Sequence, residues 1–322
     1  MNYKIVLIIA YFGKLPNYFH LWLESAKRNR DVDFLIITDI ADLSESDNIK
    51  VVYSTLSQIK ERADKTLNMN CVISNPYKLC DYKPAYGLIF SDLLVGYDFW
   101  GYCDLDIIWG NLRKFITNDI LKTYNRLFNL GHLTIYRNDK ATNRVFLKQL
   151  TGVHYTYREA YSLDYNIGFD EKGCLAGLSK NGNYIQYNNN QIIADIWPDM
   201  KRFRTFYTLT SDLNHIYTYE NGSLIGHFVD GNKVRTKEFL YIHLQKRKMI
   251  CNVSNTEYYM IVPNSFIDKA DITVEFINAY SEDRSQILDN SEYEKQKMPI
   301  PISIVRKIRR LLFARLLKID QL

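Results

Sequence analysis

The sequence predicts an α/β fold in which helices flank a mostly parallel central sheet. Residues 3–12 form an apolar run without alternation, which is typical of a parallel strand covered on both faces. Over the first hundred residues, predicted elements follow in the order strand, helix, strand, strand, helix, strand, as expected of a doubly wound sheet. Beyond residue 205 the pattern changes to short strands, so we also expect a small β-rich part towards the C-terminus.

The elements of the N-terminal half follow from hydrophobic periodicity. Residues 17–30 have helical spacing, and residues 34–38 and 49–53 predict two further buried strands. Asp81-Tyr82-Lys83-Pro84 predicts the start of a second helix, because proline is favourable in a first turn. In a doubly wound sheet, this helix and the strand after it bring Lys83 and Asp104 into one neighbourhood.

The second half mixes both kinds of element. Residues 131–138 predict a strand and residues 140–150 a helix. Residues 206–209, 216–228 and 239–244 predict strands, and Asn221-Gly222 inside the second of these predicts a hairpin turn. Residues 281–299 are polar and predict a linker.

Composition limits the class of protein. A chain of 322 residues with 47% apolar content can bury one large core or two smaller ones. Much of the net charge of +5 lies in the last twenty residues, so the nearly neutral remainder argues against nucleic-acid binding. Five dispersed cysteines without a Cys-x-x-Cys pair indicate reduced thiols and a cytoplasmic location. The short apolar run after Lys4 lacks a cleavage site, which favours a strand over a signal peptide.

Two carboxylates at a strand end are the leading site candidate. The aromatic run at 97–103 leads into Asp104-Leu105-Asp106, and alternation places both acids on one side with Leu105 facing the protein. Such a pair suits Mg²⁺ or Mn²⁺, which proteins bind with one or two carboxylates plus substrate phosphates. The other Asp-x-Asp sequence, Asp31-Val32-Asp33, precedes an apolar run and predicts a solvated strand entrance. A strand-end turn with capping acids is the structural alternative for Asp104 and Asp106.

Several other residues are candidates with a structural alternative beside each. Ala10-Tyr11-Phe12-Gly13 has a glycine for an unusual backbone angle and two rings that could stack on a base, or it is a plain strand-to-helix turn. Asp39 could bind a nucleoside or cap a helix. Asp170 and Glu171 could be catalytic or first-turn helix acids. His243 ends an apolar strand just before Lys246 and Arg247, where a buried structural histidine is the alternative.

Five separated segments together resemble the metal-dependent GT-A glycosyltransferases of bacterial capsule, exopolysaccharide and lipopolysaccharide clusters. They are Tyr11-Phe12-Gly13, Asp81 to Pro84, Phe99 to Asp106, Gly131-His132-Leu133 and His243 to Lys246. The resemblance covers about residues 3–250 and implies a Rossmann-like GT-A catalytic domain over residues 1–250. The residue pattern of the remaining chain predicts an extension and linker over 251–298 and a basic helix over 299–322.

The resemblance also implies a ligand set. Asp104, Asp106 and His243 would hold Mn²⁺ or Mg²⁺. The nucleotide-sugar donor, expected to be a UDP-hexose, would contact further residues: Ala10, Tyr11, Phe12, Gly13, Asp39, Asp81, Lys83, Asp104, Lys246 and Arg247. Asp170 or Glu171 would take the acceptor proton if the enzyme inverts stereochemistry. A nucleotidyltransferase acting on sugar phosphates and a non-catalytic nucleotide-sugar-binding module are the alternatives.

The C-terminal segment predicts a membrane contact. Residues 304–319 place apolar residues at helical spacing behind Ser303, with six cations and no acid among them. Such a helix suits the anionic inner face of the cytoplasmic membrane, where it would bring the enzyme to a saccharide or lipid-linked oligosaccharide acceptor. A helix packed on the domain is the alternative.

Overall fold

The apolar run near the N-terminus forms β1 (Ile5–Ala10), the strand around which the main sheet is built. The computed structural model describes residues 2–148, 155–173, 185–198 and 202–280. The other strands of this sheet are β2 (Asp33–Thr38), β3 (Ile49–Tyr53), β4 (Phe99–Cys103), β6 (Arg126–Leu130), β7 (Leu133–Arg137) and β8 (Gln186–Tyr187). Their spatial order is β3-β2-β1-β4-β7-β6-β8.

The main sheet is mostly parallel, as the sequence predicts. β1 pairs in parallel with both β2 and β4, β2 pairs in parallel with β3, and β7 is antiparallel to both of its neighbours. The chain moves from β1 outward to β2 and β3, then returns to place β4 on the other side of β1. The order of strands therefore reverses between β1 and β4, and ligands of open α/β sheets bind beyond the carboxyl ends of strands at such a point.

Helices cover both faces of this sheet. The two longest described helices are α1 (Phe19–Lys27), which buries Trp22 and Ala26, and α2 (Leu56–Leu67). Sequence reasoning missed α2, although Thr55 and Gln58 form a capping box at its start. The shorter helices are α3 (Leu79–Tyr82), α4 (Tyr86–Ile89), α5 (Leu112–Phe115), α6 (Asn118–Thr123), α7 (Tyr157–Ser162) and α8 (Val274–Ala279).

The helix predicted to begin at residue 81 is divided into short turns. Three 3₁₀ turns, Pro76–Lys78, Lys83–Ala85 and Ser91–Leu94, alternate with α3 and α4. The predicted apolar face nevertheless packs into the core, where Tyr86, Ile89 and Phe90 are buried. Pro84 lies in the 3₁₀ turn between α3 and α4, where its missing amide hydrogen interrupts the backbone hydrogen bonds that would join the two helices.

A three-stranded sheet beside the main sheet carries the histidine. Its strands are β5 (Ile107–Trp109), β9 (Ile193–Asp195) and β13 (Tyr241–His243). Central β13 pairs antiparallel with β5 and parallel with β9. This register sets His243 opposite both Ile107 and Asp195.

The expected β-rich part is a six-stranded sheet. Its members are β10 (His215–Glu220), β11 (Ser223–Asp230), β12 (Lys233–Phe239), β14 (Ile250–Asn252), β15 (Tyr258–Val262) and β16 (Ser265–Ile267). Asn221 and Gly222 join β10 to β11 with φ of 46° and 90°, so the predicted hairpin turn is confirmed. Because β15 pairs with β10, strands from before and after residue 250 share one sheet, and the predicted division at 250 falls inside it.

Two predicted elements have a different form. Residues 206–209 are turns rather than a strand, and the helix expected over 140–150 is a 3₁₀ segment, Thr142–Leu147. The predicted linker beyond residue 280 and the basic helix at 299–322 lie outside the described residues. Among the helices that the structure describes, none is long and apolar enough to cross a membrane.

Candidate active site

A cavity of about 610 Å³ opens beyond the carboxyl ends of β1 and β4. Its wall includes Tyr11 after β1, Asp104 and Asp106 after β4, and His243 at the end of β13. The polar groups of three separate strands meet here. The strand order of the main sheet reverses between β1 and β4, and β13 of the three-stranded sheet brings His243 to the same place through its pairing with β5.

Asp104, Asp106 and His243 form the centre of the site. Each offers one ligand atom, and these atoms lie within 4.8 Å of one another. The prediction that the two acids lie on one side of the strand end, with Leu105 buried, is thereby confirmed. Asp106 is buried, with 8% of its surface exposed.

Backbone and charge hold Asp106 in place. Its Oδ2 accepts a hydrogen bond of 2.6 Å from the Lys246 amide, and its Oδ1 lies 3.3 Å from His243 Nε2. Burial acts to raise the pKa of Asp106, but His243 and Lys246 outweigh it and lower the pKa. The carboxylate therefore stays ionised in spite of its burial.

Asp195 orients His243 from the opposite side. Its Oδ1 lies 2.8 Å from His243 Nδ1 and also accepts a hydrogen bond of 2.8 Å from Gln245 Nε2. A carboxylate on Nδ1 keeps Nε2 as the atom that faces Asp106. Sequence reasoning missed Asp195, although it ends an apolar strand in the same way as Asp39.

The donor set fits a divalent cation of the kind that binds phosphates. Two carboxylates and one imidazole converge in an accessible cavity, and the third carboxylate sits behind the imidazole as an outer partner. The resulting excess of negative charge and the polar lining are what Mn²⁺ or Mg²⁺ requires. These residues can hold such an ion while leaving positions for substrate oxygens.

Lys83 supplies a fixed positive charge beside the acids. Its ammonium donates to Asp104 Oδ1 at 2.7 Å and to the Gly131 carbonyl at 2.6 Å, and it lies 3.8 Å from Asp170 Oδ2. Burial acts to lower the pKa of Lys83, but Asp104, Cys80 and Asp170 raise it well above its usual value. The predicted proximity of Lys83 and Asp104 is confirmed.

Asp170 is a buried acid at the cavity wall. Burial raises the pKa of its carboxyl well above the usual range, although the charge of Lys83 acts to lower it. Its neighbour Glu171 is exposed and lies against Gly131, where an added Cβ would collide with the Glu171 carboxylate. Both acids line the cavity on a turn of π-helix, Phe169–Gly173.

Lys246 and Arg247 have different surroundings. The Lys246 ammonium lies 4.1 Å from the centre of the Tyr77 ring, at the cavity wall. The Arg247 guanidinium instead donates to the Trp197 carbonyl at 2.9 Å and to Asn264 Oδ1 at 3.0 Å. Both residues line the cavity, but the Arg247 guanidinium also braces the neighbouring backbone, whereas the Lys246 ammonium lies against the Tyr77 ring.

The segment after β1 lines the cavity with both Tyr11 and Phe12, but the two rings differ in burial. Phe12 is buried in the hydrophobic core, whereas Tyr11 is half-buried at the cavity wall and its hydroxyl donates to the Lys14 carbonyl at 2.6 Å. Gly13 adopts φ of 135°, a conformation that side chains disfavour. Ala10 also lines the cavity.

Two predicted ligand residues lie away from the cavity wall. Asp39 is exposed just beyond β2. Asp81 is fully buried in an ion pair with Lys78 at 2.7 Å, and its carboxylate accepts hydrogen bonds from the amides of Ile167 and Phe169. Asp81 thus anchors the segment that precedes Asp170.

Comparisons with known proteins give one family and several structural likenesses. Residues 7–270 match a family described as "Family of unknown function (DUF6625)". No curated protein matches the sequence.

The structural likenesses are to glycosyltransferases. Two structures of GlyE from Streptococcus pneumoniae TIGR4, one of them the apo form, each have a TM-score of 0.30, with 10% and 12% identity. They cover 60% and 59% of this chain and 46% of theirs, so the chain spans less than half the length of GlyE. Apo mouse xyloside xylosyltransferase 1 has a TM-score of 0.37 and 7% identity, covering 61% of this chain and 88% of that one.

Proposed function

The chain belongs to this family of unknown function, and we propose that it is a metal-dependent glycosyltransferase with a GT-A fold. The observation that carries the proposal is the convergence of Asp104, Asp106 and His243 at the carboxyl edge of a mostly parallel sheet. The donor would be a nucleotide sugar, a UDP-hexose in the simplest form, and the acceptor a saccharide. A cavity of about 610 Å³ is large enough to enclose much of such a donor.

The residues of the cluster would hold Mn²⁺ or Mg²⁺ against the donor diphosphate. When bound, the ion supplies Lewis-acid stabilisation of the negative charge that develops on the leaving diphosphate. Lys246 would add a cation on the same side, because its backbone amide already binds Asp106. Lys83 positions Asp104 through a hydrogen bond from its ammonium, and Tyr11 offers a ring for the nucleoside base.

Asp170 and Glu171 are the candidates to receive the acceptor proton. Burial raises the pKa of Asp170, which makes its carboxylate a stronger proton acceptor than an ordinary surface acid. Glu171 is more exposed and can reach an acceptor that enters from solvent. Asp170→Asn and Glu171→Gln separate them: the base is the residue whose loss abolishes transfer to an acceptor while nucleotide affinity is kept.

The experiment that tests the proposal is a screen of UDP-sugars with purified full-length protein and manganese. We expect UDP release that stops in EDTA and returns with added manganese. Asp104→Asn and Asp106→Asn should abolish this release. The matched control is Asp31→Asn in the other Asp-x-Asp sequence. Asp31 is exposed and lies outside the cavity wall.

Assays of the same purified protein distinguish the transferase from a nucleotidyltransferase and from a binding module. Release of pyrophosphate from a nucleoside triphosphate and a sugar phosphate would identify a nucleotidyltransferase. Binding of UDP and manganese without any turnover would identify a nucleotide-sugar-binding module. Full activity of Asp104→Asn or Asp106→Asn after EDTA treatment and metal addition would refute the site assignment.

The proposal extends to the cellular setting of the enzyme. We propose a role in bacterial surface polysaccharide synthesis on the inner face of the cytoplasmic membrane, with a lipid-linked acceptor. Its support is the basic, apolar sequence at 304–319, which lies outside the described residues. The linker and basic helix expected at 281–322 would join the catalytic body to that surface.

A further inference from the structure

Three exposed aromatic side chains lie together next to the cavity. Trp197, Phe206 and Tyr207 are 39%, 37% and 38% exposed. The rings of Trp197 and Phe206 stack with their centroids 4.0 Å apart, and the rings of Phe206 and Tyr207 are 6.0 Å apart. We call these three residues the aromatic shelf. The other tryptophans, Trp22, Trp100 and Trp109, are fully buried.

The backbone connects this shelf to the histidine of the candidate site. Ile196 forms an antiparallel bridge with Thr205, and the Phe206 amide donates to the Asp195 carbonyl at 2.9 Å. Because side chains alternate in extended chain, Trp197 lies on the same side as Asp195. The shelf therefore continues the wall that holds His243.

Polar groups surround the shelf. Burial raises the pKa of Tyr207 to about 12, and the charges of Asp195 and Glu171 add to this rise. Asp195 contacts His243, and Glu171 belongs to the cavity wall. Arg204 donates to Asp212 at 3.0 Å, and the Asp212 side chain is 88% exposed.

Aromatic faces edged by hydrogen-bonding groups suit a sugar ring better than a protein or lipid. The C–H face of a pyranose packs on an aromatic ring, and its hydroxyls bond to neighbouring acids and guanidinium groups. The surface area of three rings is far smaller than the roughly 1,200 Å² or more that a stable protein interface buries. The exposed charge of Asp212 would also be unfavourable against an anionic lipid surface.

We propose that the aromatic shelf binds a pyranose ring of the saccharide acceptor, an inference that rests on the proposed transferase function. The acceptor hydroxyl must approach Asp170 and Glu171 from outside the donor cavity. A ring held on the shelf lies beside the strand end that carries Asp195, the partner of His243.

Trp197 is itself the reporter for the test, because it is the exposed one of the four tryptophans. Tryptophan fluorescence and its quenching by acrylamide are measured on full-length protein with UDP and manganese present. The probes are methyl glycosides of glucose, galactose and N-acetylglucosamine, together with lactose and cellobiose. We expect at least one probe to reduce the quenching of Trp197 about twofold, since a bound ring covers one face of the indole.

Variants distinguish binding at the aromatic shelf from a general effect of the sugar on fluorescence quenching. Phe206→Ala should abolish the protection, and Phe206→Tyr should keep it. The matched control is Tyr53→Ala, which removes another exposed ring, 58% exposed, on β3 at the far edge of the main sheet. In this control variant, the sugar should protect Trp197 from acrylamide as it does in the wild type.

Two results would overturn the shelf: no protection by any probe, or equal protection in wild type and Phe206→Ala. This test is independent of the test of the proposed function. The proposed function is tested by manganese-dependent UDP release from wild-type protein. Protection without any UDP release would overturn the transferase and leave a saccharide-binding shelf. UDP release without protection would overturn the shelf alone.

Discussion

The buried Lys78–Asp81 ion pair offers the sharpest test of what positions Asp170. Both side chains are fully buried, and the Lys78 ammonium donates to Asp81 Oδ2, the Ala160 carbonyl and the Tyr165 carbonyl at 2.7, 2.7 and 2.8 Å. These three acceptors satisfy all of its donors.

Asp81→Ala removes the counter-charge and two backbone contacts at once. It leaves the Lys78 charge without its partner in the core, and the amides of Ile167 and Phe169 lose their acceptor. Breaking one side of a buried pair destabilises proteins by about 3–5 kcal/mol, and we expect a loss in that range. Asp81→Asn should lose less, because its carbonyl oxygen still accepts from the Phe169 amide.

Urea unfolding followed by circular dichroism measures this loss. The matched control is Glu24→Ala, which removes a surface pair with Lys27 whose side chains are 39% and 31% exposed and should lower the free energy of unfolding by less than about 1 kcal/mol. The double variant Lys78→Met/Asp81→Asn should recover part of the stability, because no unpaired charge remains. A loss below about 1 kcal/mol in Asp81→Ala would refute the reasoning.

The same variants decide whether Asp81 contacts the donor. If Asp81 is structural, folded Asp81→Asn should bind UDP and manganese with wild-type affinity in calorimetry. A large loss of affinity in a variant of normal stability would instead restore the nucleotide-binding role that the sequence predicts.

The remaining predictions concern the histidines and the C-terminus. His243→Ala should weaken manganese and UDP binding together, and unchanged affinity in calorimetry would make His243 purely structural. Burial lowers the pKa of His215 from 6.5 to about 4, so the folded protein holds it neutral while the unfolded chain takes up a proton. The stability that neutral His215 contributes is complete above pH 6.5 and is lost as the pH falls towards 4, by up to about 3 kcal/mol. His215→Phe should therefore make the free energy of unfolding fall less steeply between pH 6.5 and 4. An unchanged pH dependence in this variant would contradict the prediction. A chain ending at Met298 should sediment less with anionic liposomes than the full chain, since each Lys or Arg near such a surface adds about 1 kcal/mol; equal sedimentation, or binding insensitive to lipid charge and salt, would count against a membrane helix.

Much of the main sheet could be predicted because its signals are local. The apolar run of β1, the strands at 34–38 and 49–53, and the Asn221-Gly222 turn each depend on a few consecutive residues. The Asp-x-Asp pair could be singled out for the same reason, since alternation alone places both acids on one side. The helix at 56–67 was missed despite a local signal, the capping box at Thr55.

Local pattern failed where tertiary packing decides the conformation. The run Phe206 to Leu209 is rich in strand formers, but it forms turns in the structure. The predicted helix after residue 139 became a 3₁₀ segment instead, in which Val145 and Phe146 are buried. Intrinsic propensity is a weak prior wherever the environment of a side chain is set by distant residues.

By itself the sequence determined the class of fold and the strand end that carries Asp104 and Asp106. Only the tertiary structure decided which distant groups meet them. Asp106 binds the Lys246 amide across 140 residues, and Asp195 binds His243 across 48. It also placed Asp81 in the core beside Lys78 and the Arg247 guanidinium against the Trp197 carbonyl. The register of β13 against β5 and β9 sets His243 opposite Ile107 and Asp195. Periodicity reports the face on which a side chain lies, whereas its partner across the sheet depends on how strands far apart in sequence are paired.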